Sequence, residues 1–279
     1  MVANGDTDGY YAIMRSRSYV FAVVLSVTLL IGTGSVSAEP IVQSSERYHY
    51  SYVIPEGWRQ IPNSTLDEYI RVIASETDVK NLRFTAVFHL AGKGYFEYPY
   101  ILTQEHNVDT PSYDQIQRSF EKGFGKGLTK ISEDLSEYAQ SIDADEPYID
   151  QKRNIVFTTI DMDVTGVGQV RGLVAIFLGR QSMVQLNFYA TRQQYNDWLP
   201  VFQETIDSFH FESGYEYNPV VAEENDPHSI PDALRAGAIT AIVGAGLGAL
   251  FAKTRLWVRL QKSGRPKKPA RRNRGETDR

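Results

Sequence analysis

Five histidines, at positions 49, 89, 106, 210 and 228, and no cysteine are the first facts bearing on chemistry in this 279-residue chain. Without cysteine there is no disulfide scaffold, Cys-ligated zinc, iron–sulfur cluster or thiol nucleophile. The histidines show neither H-x-x-x-H nor H-E-x-x-H spacing, so no helix face offers a pair of metal ligands. His49 and His89 fall at outward or edge positions of predicted strands and read as surface residues. Asp161 and Asp163 share one strand face, as two calcium-binding or acid/base carboxylates would; a solvated face opposite Ile160, Met162 and Val164 explains the same pattern. The run Gly123 to Thr129 (GFGKGLT) follows a helix and lacks the G-x-x-x-x-G-K-[ST] spacing of a phosphate loop. No G-x-S-x-G occurs beyond residue 38. The sequence therefore assembles no catalytic set and implies no metal or other cofactor, although catalytic residues can still be gathered from distant positions.

One segment stands out by composition. Gly92 to Tyr100 (GKGYFEYPY) places four aromatics in six residues after two turn glycines. Exposed aromatics on a rigid turn suit protein recognition, which marks Tyr95, Phe96, Glu97, Tyr98 and Tyr100 as a candidate partner-binding surface. Alternation of Tyr98 and Tyr100 into a core is the competing reading.

The elements that must position these residues follow from periodicity. Residues 47–54 (RYHYSYVI) alternate as a strand stopped by Pro55, Glu56 and Gly57 before Trp58. Ser64 and Asp67 form an S-x-x-D box opening a short helix with Leu66, Tyr69, Ile70 and Ile73 on one face. Residues 82–90 alternate again, and a strand follows the Gly92/Gly94 turn from Glu97 to Gln104. Thr110 and Pro111 start a helix carrying Tyr113, Ile116, Phe120 and Phe124, which the glycines at 123, 125 and 127 break or bend before a second amphipathic piece. Strands at 154–164, 169–178 and 182–190 are joined closely enough for hairpins, so this part of the sheet is antiparallel. Thr191 and Gln194 form a capping box for a last helix that buries Tyr195, Trp198, Leu199, Phe202 and Ile206, before Phe209 to Phe211 return as a short strand. The fold class is α+β, an antiparallel sheet with helices packed on it.

The order of elements, with YSYVIPEGWRQIP at 50–62 and TRQQYNDWLPVFQETIDSFHF at 191–211, resembles the Mog1/PsbP-like family over about residues 45–212. Members often begin with a strand running into a Pro-x-Gly-Trp-like turn and end with a helix running into Ser-Phe-x-Phe. The resemblance implies an α/β/α sandwich and a binding or assembly role instead of catalysis, as in photosystem II accessory proteins and Ran-binding Mog1 proteins. It carries over no functional residue, because nothing matches beyond the aromatics that mark the fold. A membrane-spanning C-terminus departs from the lumenal photosystem proteins.

Charge separates the chain into two environments. Residues 39–252 hold 16 Lys+Arg against 30 Asp+Glu, a net of −14, whereas residues 253–279 hold 11 against 2, a net of +9. At the other end Arg15 and Arg17 precede an apolar run from Tyr19 to Ile31 and then Val36, Ser37 and Ala38, the pattern of a secretory signal cleaved after Ala38. Residues 1–13 fit no part of that pattern, which makes Met14 an alternative start; an uncleaved anchor is the other reading of the apolar run. A second uncharged run, Ala236 to Ala252, lies between Arg235 and Lys253 and is long enough to span a bilayer. A buried glycine-rich helix is its soluble alternative, but glycine weakens helices in water and is tolerated in lipid. Within it Gly244 and Gly248 form a G-x-x-x-G step and Gly237 lies one heptad earlier, a small-residue face suited to self-association or to a partner's helix.

Lys and Arg accumulate on the cytoplasmic side of membranes, so the tail belongs inside and the acidic body outside. The expected organisation is a signal peptide (1–38), an extracytoplasmic domain (39–212), a stalk (213–235), a transmembrane helix (236–252) and a basic cytoplasmic tail (253–279). A nucleic-acid arm is disfavoured for the tail because no aromatics but Trp257 interleave its charges. Partners are then the lipid bilayer, an envelope protein and, through the span, a second copy; nucleic acid is not among them. The functional expectation is a membrane-anchored, non-catalytic binding or assembly-accessory domain, with an envelope hydrolase or small-ligand-binding protein as the alternative. A deep pocket lined by carboxylates and a histidine favours the alternative, and a shallow aromatic patch at Tyr95 to Tyr100 favours the first. Protease added outside intact spheroplasts is expected to remove residues 39–230 while sparing an epitope placed after Arg274; digestion of that epitope from outside contradicts the orientation.

Overall fold

The computed structural model describes residues 39–76, 84–108, 112–136 and 138–218. The expected signal, the rest of the stalk, the span with Gly237, Gly244 and Gly248, and the basic tail lie outside the described residues. Among the described residues no helix is long and apolar enough to cross a membrane. The chain forms β1 (Ile41–Ser45), β2 (Tyr50–Ile54), β3 (Trp58–Gln60), α1 (Asn63–Glu76), β4 (Ala86–Leu90), β5 (Tyr100–Asn107) and α2 (Tyr113–Asp134). It continues through β6 (Ala139–Ala144), β7 (Tyr148–Asp150), β8 (Ile155–Val164), β9 (Gly168–Leu178), β10 (Ser182–Thr191), α3 (Tyr195–Ser208) and β11 (His210–Phe211).

Eight of these strands build one antiparallel sheet in the order β3-β4-β5-β10-β9-β8-β6, with β7 paired to the other half of β8. The hairpins β8–β9 and β9–β10 form as the short joints predict. A smaller sheet, β1-β2-β11, is also antiparallel. Side chains alternate between the faces of the large sheet, and both faces are covered. On one face Met183 and Tyr189 of β10 share a core with Leu66 and Tyr69 of α1 and Ile116 of α2. On the other, Val184, Leu186 and Phe188 pack with Tyr50 and Tyr52 of β2 and with Phe202 and Ile206 of α3. Helices therefore lie on both sides of an antiparallel sheet, and every residue of β10 but the last is buried.

Two-sided burial favours polar groups in the middle strands that have a partner built in, because an unpaired buried amide or hydroxyl is destabilising. Gln185 donates from Nε2 to Asn187 Oδ1 at 2.7 Å within β10. Tyr50 donates to Glu105 Oε1 at 2.7 Å, and the Tyr52 hydroxyl meets Thr103 Oγ1 at 2.5 Å, tying the small sheet to β5. Ser208 adds a link from α3, accepting from the Val53 amide at 2.9 Å.

Several expectations need correction. The strand expected from Arg47 starts at Tyr50, because residues 46–49 form a turn in which His49 has a φ of 52°. Helix α1 starts at Asn63, where the Pro62 carbonyl accepts from Thr65 and Leu66, so Ser64 sits inside the first turn. The glycines at 123, 125 and 127 do not break α2 into two pieces; it runs for 22 residues. Each glycine costs about 1 kcal/mol relative to alanine. The helix is nevertheless secured at its start by a box in which Ser112 and Gln115 exchange backbone-to-side-chain bonds at 2.8 and 3.3 Å, and by buried Ile116 and Leu135 near its two ends. At α3 the capping residue is Gln194, reached by a turn from Thr191, and the expected T-x-x-Q box is absent. Of the residues expected in the core, Trp198 and Leu199 are only partly buried, while Thr205 is fully so. Residues 213–218, expected in the stalk, pack on the domain.

His89 and His106 show what covering both faces does. The outward position expected for His89 points beneath Tyr95, whose ring meets it edge-on at 5.1 Å, and the residue is buried. Burial, helped by the charge of Arg59, lowers the His89 pKa; burial alone lowers that of His106. An unfolded histidine titrates near pH 6.5, so below that value the unfolded chain takes up protons that these two folded imidazoles refuse. Stability is therefore complete above about pH 6.5 and declines as pH falls toward the depressed folded values. Urea midpoints of a 39–218 fragment are expected to drop between about pH 7.5 and about pH 5 by more than in H89Q/H106Q, an equal drop contradicting this. Phe202 is fully buried against Phe188 at 5.0 Å, so Phe202→Ala is expected to cost about 3–5 kcal/mol and Trp198→Ala clearly less in the same urea titration. The reverse order would mean that α3 docks on a different face.

Candidate functional site

The aromatic segment offered by the sequence is mostly core. Phe96, Tyr98 and Tyr100 are buried, with Phe96 against Tyr69 at 4.2 Å and Tyr100 between Tyr98 and Tyr189 at 5.0 and 5.1 Å. The alternation reading prevails, and only Tyr95, half-buried over His89, and exposed Glu97 remain at the surface. A solvent-facing patch of four aromatics is not present there.

A pocket of about 410 Å³ lies elsewhere, at the end of the large sheet where α3 stops. Its floor is the last cross-strand pair of β8 and β9, Ile155 opposite Phe177, together with Leu178. One wall is the C-terminal end of α3 with Ile206 and Asp207, continued by Phe209 and Phe211. Phe209 stacks on Phe177 at 3.7 Å, and Phe211 meets Phe209 edge-on at 5.1 Å. Gly179 makes room for this: a Cβ there would stand 2.8 Å from the Phe211 ring, closer than packed carbons tolerate.

The opposite wall comes from residues 212–218, of which the sequence reading placed 213–218 in a stalk. Arg180 donates its amide to the Tyr215 carbonyl at 2.9 Å, Glu216 bridges to Gly179, and the Glu212 amide reaches the His49 carbonyl at 2.8 Å. His49 itself stacks on Tyr215 at 3.6 Å and pairs with Glu212 at 3.0 Å, so it serves as a docking post at the surface. Tyr217 is buried beside Tyr113 of α2 at 5.1 Å, and Tyr113 donates to Asn154 Oδ1 at 2.5 Å on the pocket rim. Asn154 adopts a φ of 57°, a conformation that asparagine tolerates better than most side chains.

Charge collects on the rim. Arg153 donates to Asp150 at 2.6 Å and to Asp207 at 3.3 Å. Burial works to raise the Asp150 pKa, but the bonds and charge of Arg153, with the Lys152 amide, outweigh it and hold the carboxyl below its usual value. Glu216 accepts from the Gly214 amide at 2.6 Å. His210 faces Ser51 Oγ through Nε2 at 2.9 Å, and its Nδ1 faces the Ser208 carbonyl at 3.2 Å. A hydroxyl beside an imidazole is half of a nucleophilic site, but a backbone carbonyl stands where a carboxylate would orient and stabilise an imidazolium.

Asp161, the other acid/base candidate, is fully engaged. It stands opposite Arg171 in the β8–β9 register, pairs with it at 3.2 Å and holds Arg192 through its second oxygen. Arg171 also lies 3.8 Å from Asp145 and over the ring of Tyr195, whose hydroxyl burial pushes up to about 12. Asp163 pairs across strands with Gln169 and Ser141, and Ile160, Met162 and Val164 are buried behind the two carboxylates, as the solvated-face reading has it. Among the described residues no group of three or more His, Asp or Glu is placed to hold a metal ion. His228 lies outside the described residues.

Sequence reasoning missed the pocket because its walls come from three distant stretches. The available signal was Tyr215 and Tyr217 flanking Glu216, a period-two aromatic pattern inside a segment rich in turn residues.

The chain matches no family model and no curated protein. Among solved structures it is similar to the solution structure of cyanobacterial PsbP (CyanoP) from Synechocystis sp. PCC 6803. That likeness has a TM-score of 0.42 and 14% sequence identity, over 65% of this chain and 98% of the other. It is a PsbP-type resemblance of fold, weak and confined to a segment, and no residue role is carried across it.

Proposed function

We propose that this chain is a binding or assembly-accessory domain, without catalysis, that a C-terminal span holds on the extracytoplasmic face of a membrane. The pocket at the end of α3 is its recognition site for a protein partner. The observation that carries this reading is the contrast between the two kinds of polar site. Asp161 is held between two guanidinium groups, and on the pocket rim His210 is held between a serine and a carbonyl, as structural residues are, whereas the pocket itself is an open space lined by the half-buried rings of Phe209 and Phe211. Anchoring and orientation rest on the sequence, on the apolar run at 236–252 and the basic tail behind it.

The pocket volume lies in the range of small-molecule sites, and two carboxylates and a histidine line it. Small-ligand binding is therefore the second reading. A photoreactive amino acid at position 210, on the pocket rim, is expected to give a discrete adduct with another protein in cells, and one at exposed position 118 of α2 to give none. Adducts from both positions contradict a specific surface. Adducts from neither turn the pocket over to the small-ligand reading.

A further inference from the structure

A strand at the edge of a sheet can take another chain, because its outer N–H and C=O groups have no ladder partner. Most edges of this domain are blunted. In the large sheet β3 is three residues long and carries exposed Arg59, β7 is equally short, and β6 has a register shift between Ala139 and Ser141 and carries Asp143. In the small sheet β11 has two residues and runs straight into residues 212–218. Strand β1 has none of these devices. Its five residues, Ile41 to Ser45, contain no charge, proline or bulge and pair with β2 residue for residue. Among the described residues no strand lies on its other side, and Val42 is 68% exposed, more than any other large apolar side chain there.

Which backbone groups of β1 are free follows from β2. On its β11 side the Val53 amide donates to Ser208 Oγ at 2.9 Å, and the His49 carbonyl accepts from Glu212 at 2.8 Å. Backbone groups alternate sides along a strand, so those of Tyr50, Tyr52 and Ile54 face β1, where Ser45, Gln43 and Ile41 are their partners. The N–H and C=O of Val42 and Ser44 therefore point away from β2. Gln43 covers one of these groups, donating from Nε2 to the Ser44 carbonyl at 3.3 Å. A second, antiparallel β1 meets them all in one register, with Val42 opposite Ser44 on each side of a two-fold axis at Gln43, and each such pair exchanges two bonds. A slip one way sets Ser44 against Pro40, which has no N–H; a slip the other way sets Val42 against Glu46, in the turn. The favoured register also places exposed Glu39 of each copy opposite exposed Arg47 of the other, and Gln43 opposite Gln43, whose amide groups complement each other. Glu46 falls opposite uncharged Pro40.

We infer that β1 is a self-association edge, on which a second copy of this chain pairs antiparallel through Ile41 to Ser45, centred on Gln43, and joins the two small sheets into one. The occupant is a second copy because the register closes on itself. The one pairing that uses every free backbone group also brings opposite charges together at both ends. It does so at an uncharged strand of a chain whose residues 39–252 carry a net of −14, a field that opposes association elsewhere on the surface. Val42 then lies opposite Ser44 and diagonal to the second Val42, which covers its exposed side chain. The pocket takes no part in this contact, so the inference is independent of the recognition site.

The chain has no cysteine, so single introduced cysteines test the register. At the two-fold axis Gln43 faces its counterpart in a non-hydrogen-bonded pair, with Cα atoms about 4.5 Å apart, within the span of a disulfide. The purified full chain carrying Gln43→Cys, Ser45→Cys or, at an exposed position of α2, Arg118→Cys is treated with a mild oxidant. Gln43→Cys is expected to give a disulfide-linked dimer at least about tenfold faster than the other two, since the two copies of position 45 lie about 13 Å apart along the strands. Adding Ser44→Pro removes an outward N–H that β2 does not use, and is expected to abolish the Gln43→Cys dimer with the circular dichroism spectrum unchanged. Independently, Glu39→Lys is expected to slow the cross-link, and Glu39→Lys with Arg47→Glu to restore it. Equal rates at positions 43 and 118 overturn the pairing. Equal rates at 43 and 45 mean a parallel or sliding contact and overturn the register. A cross-link indifferent both to Ser44→Pro and to the charge exchange overturns β1 as the contact. In cells making the Gln43→Cys chain, a disulfide adduct of another mass in place of the dimer assigns the edge to a different protein and contradicts the second copy.

Discussion

Strands β5, β9 and β10 are pressed between apolar layers on both faces, and most other features of the domain follow from that constraint. An antiparallel sheet commonly leaves one face to water, so its strands alternate apolar and polar residues. Here the solvent face is replaced by α3 and the small sheet, and β10 is buried along nine of its ten residues. Several of the polar groups that persist there are matched, among them Gln185 with Asn187, Tyr52 with Thr103 and Tyr50 with Glu105. Because these hydroxyl and amide contacts join β2 to β5 and fix β10 internally, they set the register of the layers as well as satisfying the core.

Such a sandwich has functional options mainly at its ends. The faces are closed, and the charged residues beside β8 are committed to one another through Asp161, Arg171 and Arg192. At the other end of β8 and β9 the covering helix stops at Ser208 while the strands continue to a rim at Asn154 and Leu178. The chain then turns back through Phe209 to Phe211 and lays residues 212–218 across the opening. The pocket is the space left between a helix that ends early and a segment that returns, and its acidic and aromatic lining is set by where those two pieces end.

Much of the fold was legible in the sequence because it depends on local patterns. The three hairpin-linked strands, the faces of α1 and α3 and the return at Phe209 to Phe211 all come from spacing of two or of three and four. What was not legible depended on neighbours far away in sequence. Alternation places His89 on the opposite side from Phe88, but only the presence of a second covering layer makes that side interior. The glycines of α2 read as breakers by propensity, yet anchors at Ile116 and Leu135 hold the helix through them. Phe96, Tyr98 and Tyr100 read equally as a surface patch or as core, and the choice falls to Tyr69 and Tyr189, which the sequence does not bring near. The candidate site was the least legible part, since Arg153, Asp207 and Glu216 have no common motif and line one pocket only because stretches far apart in sequence come together there.

That docking is what turns the end of the sheet into a walled site, and amide exchange at Arg180 measures it directly. Its amide donates to the Tyr215 carbonyl, while the neighbouring Leu178 amide donates to Asn154 at 3.0 Å inside the fold. In the full chain the Arg180 amide should be protected to nearly the same degree as that of Leu178. Exchange of Arg180 at the free-chain rate beside a protected Leu178 would mean that the returning segment stands off the domain and that the pocket has no second wall.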